Sequence, residues 1–188
     1  MLGYDWIRLH AALNDFPPAL LVAAVVFDVI GAAARRESLK AAGFWCLIGG
    51  VVGTALAVGS GLMAEGSAPH DEATHALMET HETFAFVSLG LFALLAVWRI
   101  LRRGPLGRQE QTAFTTAGVV GLGLLIFTAR LGGVLVFDHA TGIDGHTLQR
   151  VIEERQGGHT HDESQEHAVP VTPPPESLRV FPDTSHSH

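Results

Sequence analysis

Four apolar runs dominate the chain, at about residues 17–34, 42–62, 77–101 and 115–137. Each has, or nearly has, the ~20 helical residues needed to cross the hydrocarbon core of a bilayer. Three of them pass about 18 residues almost without charge, which a buried helix of a soluble bundle does not require. Lipid accepts only helices or closed barrels as spanning elements, and these runs lack the apolar/polar alternation of a barrel strand. The fold expected is therefore all-α, a four-transmembrane-helix bundle over residues 1–143. Residues 144–188 are expected to form an external short helix and a disordered, His- and Pro-rich tail, because that stretch is poor in apolar residues and rich in proline.

The basic residues give an orientation. Arg35, Arg36 and Lys40 follow the first run, and Arg99, Arg102, Arg103 and Arg108 follow the third. The segment from Glu65 to Ala76, between the second and third runs, has no basic residue. The positive-inside rule then puts both basic loops in the cytoplasm and both termini on the periplasmic side of a bacterial inner membrane. Trp45 and Trp98 fall at the cytoplasmic ends of their helices and Trp6 at the outer side, where interfacial anchors belong.

Several function classes lose support. With 47% hydrophobic and 16% charged residues and a net charge of −7, the chain has no basic face for nucleic acid; its partner is the lipid bilayer. Cys46 is the only cysteine, so neither an internal disulfide nor the usual motif for covalent haem is available. The start, MLGYDWIRLH, lacks the pattern of a removable signal peptide. No P-loop, dinucleotide fingerprint, G-x-S-x-G elbow or H-E-x-x-H motif occurs, so no enzyme class is indicated.

The chemistry-bearing residues gather at the mouths of the helices. In HDEATHALMETHETF, residues 70–84, three histidines and four acids open the third helix, where such groups are costly to hold in lipid. His75, Met78, Glu79 and Glu82 recur at helical spacing on one face, while His81 lies about 120° away. His10 precedes the first helix and His139 closes the fourth, so His10, His81 and His139 fall at one level. Gly132 lies two turns below His139 and leaves room for a flat ring. Asp28 and Arg130 lie inside apolar runs and need partners; for Arg130 these are Glu79, Glu82, Asp28 or an anionic cofactor group such as a haem propionate.

Three readings follow. The first is a haem b held between histidines of different helices, with His10, His81 and His139 as ligand candidates and Arg130 on a propionate. The second is a compact Zn or Cu site drawn from His10, His75, His81, His139, Glu79 and Glu82. The third is a non-catalytic scaffold or partner-binding subunit with hydrated helix ends. The first is adopted: a small haem-binding or electron-transfer subunit that works with other membrane or periplasmic redox subunits.

The sequence RLHAALNDFPPALLVAAVVFD, Gly59 to Gly61, His75 or His81 at the start of the third helix, and LGGVLVFDHATGI also resemble a known pattern. It is that of the uncharacterised bacterial inner-membrane family catalogued as domain of unknown function 2231, over about residues 8–143. Members often carry histidine directly before the Phe-Pro step. Here Asp15 stands there, which moves the weight of that position to His10. The resemblance implies the membrane topology and, through relatives that look haem-associated, a haem.

Overall fold

The computed structural model describes residues 5–66, 72–102, 104 and 106–157, and every element among them is helical. In chain order these are α1 (Trp6–Leu13), α2 (Phe16–Ala33), α3 (Glu37–Glu65), α4 (Glu72–Leu101), α5 (Arg108–Phe137) and α6 (Gly145–Gln156). His70 and the His- and Pro-rich tail beyond residue 157 lie outside the described residues.

Polar residues explain where these helices start. The Asp5 carboxylate accepts the Ile7 N–H at 3.2 Å and caps α1. Pro17 and Pro18 stand in the first turn of α2, where a missing N–H costs no intrahelical bond. Asp15, a capping type by sequence, sits before them in helical backbone geometry and makes no side-chain cap bond. The apolar runs underestimate α3, α4 and α5, because each helix begins with a polar turn carrying Glu37, Glu72 or Glu110. An acid in the first turn complements the helix dipole. Between α4 and α5, Arg102 pairs with Glu110, whose other oxygen accepts the Gly107 N–H at 3.2 Å.

Four spans are long and apolar enough to cross a membrane, namely Trp6–Ala33, Glu37–Glu65, Glu72–Leu101 and Arg108–Phe137. The protein is a multi-pass membrane protein. α1 packs on α3 and extends the first span. Around the bundle α2 neighbours α3, α3 neighbours α4, α4 neighbours α5, and α5 returns to α2. The starts of α2 and α4 share one end with the last turns of α3 and α5. We call it the histidine end and its opposite the arginine end.

The core is knitted by large residues set into glycines. Leu21 is 0% exposed and Phe92 1%. A Cβ added at Gly50 would come within 2.6 Å of Leu21 Cδ2, and one at Gly121 within 2.8 Å of Phe92 Cζ. Apolar side chains such as Trp45, Leu94 and Ile126 face outward, as lipid requires. Trp98 differs from the expected free anchor. It is half-buried and packs edge-on against Phe114, with ring centroids 6.0 Å apart. The short helix α6, considered by itself, has no buried residue.

Candidate functional site

Two histidines at the histidine end are held in the same way. His10, on α1, has its Nδ1 2.9 Å from the Ala57 carbonyl of α3, and His81, on α4, has its Nδ1 2.9 Å from the Thr128 carbonyl of α5. A carbonyl only accepts, so Nδ1 carries the hydrogen in both rings and Nε2 is the basic nitrogen of the neutral imidazole. Each ring also lies over a glycine one turn beyond its carbonyl. A Cβ at Gly61 would be 3.1 Å from His10 Cε1, and one at Gly132 would be 3.2 Å from His81 Cε1.

The hydrogen bonding around the pair is compatible with ligation through Nε2. Metal-bound histidines use one ring nitrogen and commonly donate the other N–H to a carbonyl, which fixes tautomer and ring plane. Ser60 shares the Ala57 carbonyl, donating to it at 2.8 Å, with its hydroxyl 3.3 Å from His10 Nδ1. Ser88, two turns along α4 from His81 on the same face, is 1% exposed, yet its hydroxyl has no hydrogen-bond partner among the described residues. The two glycines give the imidazoles themselves room against the facing helices, and Ser88 is an orphaned buried hydroxyl on the His81 side of α4.

The other candidates are placed elsewhere. His139, exposed just beyond α5, has its Nδ1 3.0 Å from the Thr74 hydroxyl near the start of α4. Thr74 precedes His81 by about 10 Å of helix, so His139 lies further out than the level of His10 and His81. His75 stands between Glu65, at 3.9 Å, and Glu79, at 3.6 Å, on a hydrated rim. Glu82 is half-buried beside His81 in sequence and makes no ion pair among the described residues. Arg130 is exposed, and its position two residues from both Thr128 and Gly132 puts it on the opposite side of α5 from His81. The expected pairing of Arg130 with Asp28, Glu79 or Glu82 is not found among the described residues. No three His, Cys, Asp or Glu side chains among them converge as a metal cluster would.

The partner expected for Asp28 is a different arginine. At the arginine end Asp28, only 5% exposed, lies 3.9 Å from Arg99 Nη2. Its other oxygen accepts from Gln111 Nε2 at 2.5 Å and from the Thr115 hydroxyl at 3.4 Å. Arg99 lies over the Phe114 ring, 5.7 Å from the centroid, and Nη1 has no hydrogen-bond partner among the described residues. These groups border a small cavity also lined by Leu47 and Phe92. The sequence hid this arrangement because Arg99 reads as one more loop charge. Its long side chain turns inward from the last turn of α4 to reach the acid.

Among proteins of known sequence, the family model described as "Predicted membrane protein (DUF2231)" matches residues 7–145. No curated protein matches the chain. No solved structure does so either.

Proposed function

Because the chain belongs to the DUF2231 family of predicted membrane proteins, whose matched span holds both anchored histidines, we propose that it is a haem b-binding, electron-transferring membrane subunit. The observation that carries this reading is the matched anchoring of His10 and His81. Each has its Nδ1–H on a main-chain carbonyl and so keeps Nε2 as a base. His10 and His81 would hold an iron porphyrin through Nε2, and the group would supply a one-electron couple. Ala57 and Thr128 hold the ring planes, and Gly61 and Gly132 let each imidazole lie close against the facing helix. His139 and Arg130 have no part in the site, since one bonds Thr74 and the other faces away. Two histidines would suffice to hold a haem, whereas a compact Zn or Cu site takes three or four protein ligands, and no such group converges among the described residues.

The distribution of arginine and lysine supports a sidedness. It puts the arginine end in the cytoplasm and the histidine end on the periplasmic side of a bacterial inner membrane, where a redox partner would meet it. The test is a spectrum of the purified protein. The expected result is a Soret band that shifts on dithionite reduction, is lost in His10→Ala and in His81→Ala, and persists in His139→Ala. A wild-type protein with no Soret band sinks the haem reading. A band that survives both the His10 and His81 substitutions moves the ligands elsewhere.

A further inference from the structure

Positions 71 residues apart in this chain occupy matching environments. His10 and His81 are such a pair, and so are the features that hold them. Both rings reach a carbonyl 47 residues ahead, Ala57 and Thr128, and both rest on a glycine one turn further on. Leu21 and Phe92, the two most enclosed apolar side chains, are another pair, seated against Gly50 and Gly121, which are themselves equivalent. Neighbour relations agree, because shifting α2 and α3 onto α4 and α5 maps each contact between helices onto another observed one. The hairpins run in the same direction, so the operation is a two-fold rotation about an axis along the membrane normal, as in parallel repeats.

Asp28 and Arg99 fix where that axis runs. They are equivalent positions and they are each other's partner. Two equivalent residues can meet only at the axis. The axis therefore leaves the arginine end at this ion pair and, at the histidine end, passes midway between the equivalent residues His10 and His81.

We infer that the bundle is a tandem duplication of one helical hairpin and that His10 and His81 are the two halves of a single ligand set astride its pseudo-two-fold axis. The ligand class this sharpens rests on the haem reading above. A planar chelate centred on such an axis takes one imidazole from each repeat, so both axial positions are filled by protein. A site of that kind exchanges electrons and has no open position for carbon monoxide, oxygen or another exogenous ligand.

Two measurements on the full-length protein in detergent separate the parts of this inference. Asp28→Arg and Arg99→Asp, made singly, each leave like charges facing one another and are expected to lower the unfolding midpoint by on the order of 10 °C. The double exchange is expected to recover most of that loss. Equivalence predicts more: Lys40 occupies the position matching Gln111 and would support an aspartate at 99 as Gln111 supports Asp28. A double variant no more stable than the singles overturns the duplication, whether or not a cofactor is bound.

The second measurement is carbon monoxide added to the dithionite-reduced protein. The wild-type spectrum is expected to stay unchanged. A shift of the wild type overturns the shared ligation while leaving haem binding intact. Absence of any Soret band overturns the haem reading and its shared ligation together, and the charge exchange still decides the duplication.

Discussion

At the scale of single residues, the site depends on what is missing beside each imidazole. At Gly132 even a methyl group would stand 3.2 Å from His81, close enough that the ring must give way by tenths of an ångström. A larger side chain would have to displace it from the Thr128 carbonyl. Gly133, by contrast, has nothing within 4 Å of an added Cβ. Gly132→Leu is thus expected to lower the haem-to-protein ratio at least about tenfold, the loss of ~1.4 kcal/mol or more of ligand binding. Gly133→Leu should leave it unchanged; a pyridine haemochrome assay on both variants checks this. The sequence singled out His81 because a histidine below the helix mouth is out of place in lipid. Its partner was not singled out, because a main-chain carbonyl has no residue type. Arg130 misled for the same reason that Asp28 did not: depth in the run is visible, but the side of the helix facing a partner is not. Gln111 and Thr115 gave no signal, since amides and hydroxyls at a helix start are ordinary.

At the scale of helices, the two hairpins carry the same mechanical load in different residues. Leu21 is enclosed between α2 and α3, and Phe92 between α4 and α5, each against a glycine of the facing helix. Truncation leaves a cavity that close-packed backbones cannot readily collapse. Leu21→Ala and Phe92→Ala are expected to cost about 2–5 kcal/mol each, against a small effect for Leu94→Ala on the outward face, 69% exposed. The reciprocal change, Gly121→Ala, drives a methyl into the Phe92 ring at 2.8 Å and is expected to cost about 1–3 kcal/mol. Unfolding in detergent followed by circular dichroism measures all four. The spans themselves were legible because apolar length is a property of the sequence alone. The repeat was not, because it keeps a large apolar residue facing a glycine and not the residue itself: leucine matches phenylalanine at the core, and aspartate matches arginine at the axis.

At the scale of the whole molecule, the chain has two unlike ends, and the asymmetry predicts which compartment each one meets. The arginine end carries Arg35, Arg36, Lys40, Arg99, Arg102 and Arg108, partly balanced by Glu37 and Glu110 through the pairs with Lys40 and Arg102. The histidine end carries Asp5, Asp15, Glu65, Glu72, Glu79, Glu82, Asp138 and Asp144 against Arg8 and Arg130. Positive charge near the ends of short loops is held back from translocation while acids cross with little penalty, so the arginine end is expected on the cytoplasmic side. Cys46 is the only thiol, which makes this easy to probe: with Cys46→Ala as background, Asp144→Cys is expected to react with a membrane-impermeant maleimide in intact cells. Ser38→Cys, in the first turn of α3, is expected to react only after permeabilisation. The reverse pattern would put the histidine pair on the cytoplasmic side. Because both hairpins run in the same direction, they must share one orientation, and no labelling result can place His10 and His81 on opposite faces without breaking the bundle.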